Sequence, residues 1–160
     1  MLAISRRCIC AAGPARPTMA VRTKEIAMPI LSVRLCAAPS AELSGRVAAA
    51  LTDLTVDVLK KKREVTAVAV DYLPPAQWFI GGESLAARSL ATFHLDIKVT
   101  EGTNTKDEKA LYVGRVFAAM EEIVGPLAPA SYIVVHDLRA DSWGYQGQTQ
   151  EFRYVRGKPL

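Results

Sequence analysis

Met28-Pro29-Ile30-Leu31-Ser32-Val33-Arg34-Leu35 is the stretch around which the chain is organised. Leu31, Val33 and Leu35 fall on one side, Ser32 and Arg34 on the other, and this period of two reads as a half-buried strand. A proline is accepted at the first position of a strand. It also has a chemical reading. If translation begins at Met28 and the methionine is removed, Pro29 carries a free secondary amine. An α-amino group titrates at about 7.7–8.0, and a general base works best when its pKa lies near the operating pH. If the chain begins at Met1, the same nitrogen is an amide and has no base chemistry.

The pattern returns further along. Phe93, Leu95, Ile97 and Val99 alternate with His94, Asp96 and Lys98. A helical pattern follows each strand. The first, over Ala41–Lys61, sets Leu43, Val47, Leu51, Leu54 and Val58 on one stripe. The second opens with the capping box Thr105-Lys106-Asp107-Glu108, turns Val113, Val116, Met120 and Ile123 inward and stops at Gly125-Pro126. The helices also match in sequence: Gly45-Arg46-Val47-Ala48-Ala49-Ala50-Leu51 against Gly114-Arg115-Val116-Phe117-Ala118-Ala119-Met120. Val70, Leu73, Trp78 and Gly82 align without gaps to Val135, Leu138, Trp143 and Gly147. Ordered matches across three elements argue for duplication. The expected architecture is α/β (α+β): a duplicated β-α-β unit in which each helical crossover enforces parallel pairing, giving a four-stranded sheet with two helices on one face. The equivalent of Pro29 in the second repeat lies near Phe93, so only the first repeat can offer an amine.

Length and composition narrow the function classes. The 160 residues are half apolar, enough for one sizeable core. The formal charge is +4, but residues 1–24 hold Arg6, Arg7, Arg16, Arg22 and Lys24 and no acid, so the body is near neutral and gives no basic face for nucleic acid. Cys36 is the one cysteine outside that segment, which fits a reducing, cytoplasmic setting and excludes a disulfide framework. No apolar run reaches membrane-spanning length. Residues 1–28 read as a leader with three open interpretations: a mis-assigned start, since Lys24-Glu25 can be encoded as a ribosome-binding sequence upstream of Met28; a disordered extension; or a targeting segment. Residues 29–160 form the domain, with repeat one at 29–88 and repeat two at 89–152.

Several features take ordinary readings. Trp78 and Trp143 are symmetry-related and read as core or subunit-contact residues. His136-Asp137 is no catalytic pair, because adjacent strand residues face opposite ways. His94 and His136 have no cysteine or acidic cluster at metal-ligand spacing, so no metal and no cofactor is implied. Arg34, Asp96 and Lys98 share one sheet face and are expected to form cross-strand ion pairs. Gly81-Gly82 is a turn and no phosphate loop, since no Lys-Ser/Thr follows. Both sheet faces are fairly apolar, and a sheet with helices on one side and an apolar surface on the other needs a partner subunit.

Two further stretches carry a family resemblance: Pro75-Ala76-Gln77-Trp78-Phe79-Ile80-Gly81-Gly82, and Tyr132-Ile133-Val134-Val135-His136-Asp137-Leu138 followed by Gly144-Tyr145. Together with Met28-Pro29 and the doubled unit, they resemble the tautomerase superfamily of 4-oxalocrotonate tautomerase and macrophage migration inhibitory factor, over roughly Pro29 to Phe152. The resemblance implies a homotrimer whose sheets close into a barrel with active sites between subunits. It implies Pro29 as the base that moves a proton between carbon and oxygen of an enol or α-keto acid. It implies Lys61, within Lys60-Lys61-Lys62, as the contact to a substrate carboxylate, Asp96 as the provider of a backbone N–H, Tyr132 as an active-site tyrosine from the adjacent subunit, Tyr145 as an aromatic wall and Phe79 as a substrate contact. A lysine run at a helix C-terminus also suits the helix dipole alone.

Departures from the family pattern shape the substrate. Val134 stands where migration inhibitory factor has an asparagine, and the arginines of 4-oxalocrotonate tautomerase fall at about Pro39 and Ala69, with Thr103 in the corresponding loop of repeat two. The expectation is therefore keto–enol tautomerisation of a small monocarboxylate resembling an aryl pyruvate. The alternatives are a non-catalytic trimeric assembly or binding protein, and proline-imine, decarboxylase or dehalogenase-type chemistry.

Overall fold

The computed structural model describes residues 28–158, so the leader reading lies outside the described residues up to Ala27. Among the described residues, eight strands and three α-helices follow one another: β1 (Ile30–Leu35), α1 (Ala41–Asp57), β2 (Ala67–Tyr72), β3 (Phe79–Ile80), β4 (Glu83–Ser84), β5 (Phe93–Thr100), α2 (Lys106–Val124), β6 (Tyr132–Leu138), β7 (Gly144–Tyr145), β8 (Gln148–Thr149) and α3 (Gln150–Arg156). The main sheet has the order β2-β1-β5-β6. β1 pairs with β2 in parallel, β5 with β6 in parallel, and the two halves join through the antiparallel β1–β5 pair. That is the duplicated β-α-β unit, each half closed by its own helical crossover.

The alternation of the strands decides where the core sits. Leu31, Val33 and Leu35 of β1 and Phe93, Leu95, Ile97 and Val99 of β5 are almost wholly buried, against Val47 and Leu51 of α1 and Tyr112, Val116 and Met120 of α2. The matched helix positions Val47/Val116 and Leu51/Met120 are buried alike. α2 begins at the expected capping box, with Thr105 accepting from the Glu108 N–H and Glu108 accepting from the Thr105 N–H, and is capped by Gly125. His136 and Asp137 do face opposite ways: His136 meets Asp96, whereas Asp137 meets Lys109 of α2.

Four details differ from the sequence reading. α1 stops at Asp57 rather than Lys61. Thr55, Val56 and Val58 are β-branched and poor helix formers, and Lys60 takes a left-handed backbone conformation (φ 57°) that no helix continues. On α2, Tyr112 is fully buried while Val113 is exposed. On the sheet face away from the helices, Asp96 pairs with His136 and His94 rather than with Arg34 or Lys98; the register sets Arg34 opposite His94 and Asp96 opposite Ser32. Finally, each half ends in a small hairpin, β3–β4 and β7–β8, and the second adds α3. Both central turn residues have positive φ in each hairpin, Gly81 and Gly82 in the first, Gln146 and Gly147 in the second, which is the tight hairpin turn matched to strand twist. The duplication reaches this far: the Trp78 carbonyl accepts from the Leu85 N–H at 2.9 Å, and the Trp143 carbonyl accepts from the Gln150 N–H at 3.0 Å. Among the described residues no helix is long and apolar enough to cross a membrane.

Candidate functional site

Pro29 is buried directly ahead of β1, and its carbonyl accepts from the Ala67 N–H at 3.4 Å. Because Ile30 lies opposite Lys98, Pro29 sits at the end of the sheet where β1 starts and β5 finishes. The chain leaving β5 therefore passes this end. It carries Thr100, whose hydroxyl is buried with no hydrogen-bond partner among the described residues.

The lysine run reaches the same loop. The left-handed turn at Lys60 separates its neighbours: Lys60 and Lys62 are exposed, while Lys61 is buried with 6% exposure. The Lys61 ammonium donates to the Thr103 hydroxyl at 2.8 Å, and Thr103 donates to the Thr100 carbonyl at 2.7 Å. The Lys61 N–H donates to the Thr55 carbonyl at 3.3 Å. Next to it, the Asn104 amide donates to the Leu59 carbonyl at 3.1 Å and to Glu108 at 3.3 Å. The end of α1 is thus tied to the β5–α2 loop, and a buried cation is fixed at the end of the sheet that carries Pro29.

Tyr145 follows β6, which ends beside Thr100 at the Pro29 end, whereas Asp96, Tyr132 and Phe79 lie elsewhere. Asp96 is in the middle of β5, opposite Ser32 and Val134. Its carboxylate lies 2.5 Å from His136 Nε2 and 3.6 Å from His94 Nδ1, and the bond from His136 holds it below the usual carboxylate range. Tyr132 opens β6 opposite His94, which itself faces Arg34, so within one chain it occupies the end of the sheet remote from Pro29. The residue is 61% exposed. Phe79, on the hairpin that follows β2, is 60% exposed at that same remote end. Tyr145 is half-buried on β7, with the Arg153 guanidinium 3.7 Å from its ring centre. It lines a cavity of about 330 Å³ together with Asp141, Trp143 and Gln148. One chain thus brings Pro29 and Lys61 to one end, and leaves Tyr132 and Phe79 at the other as large exposed rings.

Two features escaped the sequence. The Thr103–Asn104 clasp on Lys61 is one; the only signal was a pair of short polar residues just ahead of a capping box. The other is a cleft of about 420 Å³ at the remote end, lined by Cys36, Leu43, Leu90, Ile123 and Pro126 among others. Burial pushes the Cys36 thiol pKa up, which keeps it protonated and unreactive.

Comparison with known proteins gives a consistent frame. The sequence model of the family described as "Tautomerase enzyme" matches twice, over residues 29–88 and 94–153. Among solved structures, the chain is similar to one described as "F6 fused 4-OT wild type asymmetric trimer" (19% identity, TM-score 0.67, covering 81% of this chain and 99% of the other). It is similar to "Q0 fused 4-OT wild type symmetric trimer" (16% identity, TM-score 0.68, covering 78% and 98%). It is also similar to MIF2 of Leishmania major (16% identity, TM-score 0.62, covering 76% and 97%). No curated protein matches the chain significantly.

Proposed function

Since this chain belongs to the tautomerase family, we propose that it catalyses keto–enol tautomerisation of a small monocarboxylate of the aryl-pyruvate kind, with Pro29 as general base when Pro29 is the first residue. The observation that carries the reading is the placement of the single buried lysine of the 60–62 run, Lys61, at the same end of the sheet as Pro29.

The Pro29 nitrogen takes the proton from the enol hydroxyl. The oxygen lone pair closes the carbonyl, the C=C pair is protonated at carbon by the Pro29 ammonium, and the base is regenerated. With Pro29 as the first residue, apolar walls around it would disfavour its protonated amine and favour the free base at neutral pH. Lys61 meets the carboxylate. With one such cation and with uncharged Pro39 and Ala69 at the family's arginine positions, one carboxylate suits the site better than two. Tyr132 and Phe79 are rings offered to a neighbouring copy in a homotrimer, in line with the trimers named among the similar structures. Tyr145 supplies an aromatic wall. A cytoplasmic setting agrees with the reduced, buried Cys36.

The experiment is N-terminal sequencing and intact mass of the protein from its native host, with ketonisation of phenylenolpyruvate measured on the same sample. A chain starting at Pro29 that turns over substrate, and loses orders of magnitude on Pro29→Ala, is the expected result. Unchanged turnover in Pro29→Ala sinks it. A second reading, a non-catalytic trimeric binding protein, draws on the missing arginines and gains if a chain starting at Pro29 is inactive. Trapping of a carbonyl compound on Pro29 by borohydride would instead mark imine chemistry.

A further inference from the structure

The cleft of about 420 Å³ at the Cys36 end of the sheet lies where the two repeats meet. Leu43 comes from α1, Ile123 and Val124 from the end of α2 with Pro126 just beyond, and Arg88, Ser89 and Leu90 from the link between β4 and β5. The main chain holds these walls in place. The Ala91 N–H donates to the Pro126 carbonyl at 2.9 Å, the Ala128 N–H donates to the Ala91 carbonyl at 2.8 Å, and the Cys36 N–H donates to the Thr92 carbonyl at 2.9 Å. The link is thereby stitched to the exit of β1 and to the chain between α2 and β6. A site held in this way does not have to be ordered when a ligand arrives. Its volume falls within the about 300–1,000 Å³ of small-molecule sites.

The lining is divided by chemistry. Leu43, Leu90, Ile123, Val124 and Pro126 make an aliphatic wall, and no aromatic ring lines it among the described residues. Arg88 is the one charged residue on that lining among the described residues. Its guanidinium pairs with Glu83, whose side chain is 74% exposed against 36% for Arg88. A pair so open to water contributes little, so an incoming carboxylate displaces Glu83 at small cost. A guanidinium also carries five N–H donors in a fork that matches a carboxylate. Beside it, the Ser89 hydroxyl and the N–H groups of Ser89 and Leu90 have no hydrogen-bond partner among the described residues.

We propose that this cleft is a binding site for a small straight-chain aliphatic monocarboxylate, with the head group on Arg88 and the chain along Leu43, Leu90 and Ile123. It lies at the opposite end of the sheet from Pro29 and stands independently of the reaction assigned there.

The test uses the full chain and octanoate. Methyl NMR of the leucine and isoleucine side chains reads the place of binding, calorimetry reads the affinity, and thermal unfolding is measured on every variant. Octanoate shifts the signals of Leu43, Leu90 and Ile123. It binds about tenfold more tightly than octanamide, which has the same shape and no charge. Each methylene added from butanoate to octanoate tightens binding by about two- to fourfold. Arg88→Gln weakens octanoate by about tenfold and removes its advantage over octanamide. Glu83→Gln releases the guanidinium and tightens octanoate by about two- to fivefold. The amide comparison needs no variant, so it decides even if Arg88→Gln folds poorly. The proposal is overturned if octanoate shifts only signals around Pro29, if octanamide binds equally well, or if affinity does not rise with chain length. It is equally overturned if a folded Arg88→Gln keeps the parent affinity or if Glu83→Gln fails to tighten binding. A Leu90→Asn variant that changes the oligomeric state, in a protein that takes up no octanoate, would give the cleft to a second copy of the chain and also overturn it.

Discussion

Tyr112 Oη lies 3.0 Å from Thr55 Oγ1 where α2 meets α1, and both residues are completely buried. Thr55 gives its own proton to the Leu51 carbonyl at 2.6 Å, so the phenol is the donor between them. Burial pushes the Tyr112 pKa up to about 12. The neutral phenol is the form the fold accepts, and the stability it lends is complete below the unfolded value near pH ~10 and is lost as pH climbs toward 12, by roughly 2–3 kcal/mol in all. Urea unfolding between pH 8 and pH 12 should show that decline in the parent and a much shallower one in Tyr112→Phe. The phenylalanine variant itself should cost only about 0.5–1.5 kcal/mol at pH 7. Equal alkaline slopes in the two proteins would count against the assignment.

Asp96 gives the opposite limb. The bond from His136 lowers its pKa, with smaller contributions from the charges of His94, His136 and Lys98 and an opposing one from burial. A depressed carboxyl stabilises the fold above its unfolded value and loses that contribution as pH falls through the folded one. Unfolding measured from pH 6 down to pH 2 should steepen below about pH 4, and Asp96→Asn should flatten that part of the curve. If the asparagine variant keeps the parent's acid limb, the pairing contributes nothing.

The left-handed backbone at Lys60 (φ 57°) is strained for a residue with a Cβ. Glycine relieves that strain at a helix-ending position, so Lys60→Gly should gain about 1 kcal/mol, offset in part by the loss of the Lys60 side-chain bond to the Asp57 carbonyl. Thermal unfolding reads the sign directly. A clear loss of stability would mean that the lysine bond outweighs the backbone.

If Tyr132 serves the site of an adjacent copy, two inactive chains should rescue each other. Equal mixing of Pro29→Ala and Tyr132→Ala chains by unfolding and refolding together should restore about a quarter of the sites, those that unite an intact Pro29 with an intact Tyr132. No recovery in mixed trimers would place both residues in the service of one chain, against their separation to opposite ends of the sheet.

Much of the fold was legible in the sequence because it rests on periodicity. The alternating strands, the helix stripes and the capping box at Thr105 are signals with a fixed spacing, and a repeated β-α-β pattern leaves little choice of sheet. The misses lie where spacing stops deciding. Tyr112 and Val113 are adjacent on a helix and about 100° apart, so either could join the stripe of Val116 and Met120; the phenol went in because Thr55 could accept from it. The Lys60–Lys62 run could not resolve itself, since three equal side chains differ only by a backbone dihedral that arises at the helix end. The pairing of Asp96 with histidines depended on register between strands far apart in sequence, and the Thr103 clasp on a loop-to-helix contact between repeats. The candidate site is therefore the less legible part: Pro29 and Lys61 stand out by type, but what surrounds them is assembled by tertiary contact.

The antiparallel junction of β1 and β5 carries a topological consequence. It makes the starts of those strands equivalent places, one leading from Pro29 toward Leu35 and Cys36, the other from Phe93 toward Val99 and Thr100. A linear polypeptide has one amino terminus to give to two such places. The difference between the end with Lys61 and Thr103 and the end with Cys36 and Pro126 is one that connectivity allows, since the two strand starts lie at opposite ends of the sheet. A circular permutant opened ahead of Phe93, with a proline installed there and the old ends joined, would set an amino-terminal proline at the Cys36 end without altering the sheet.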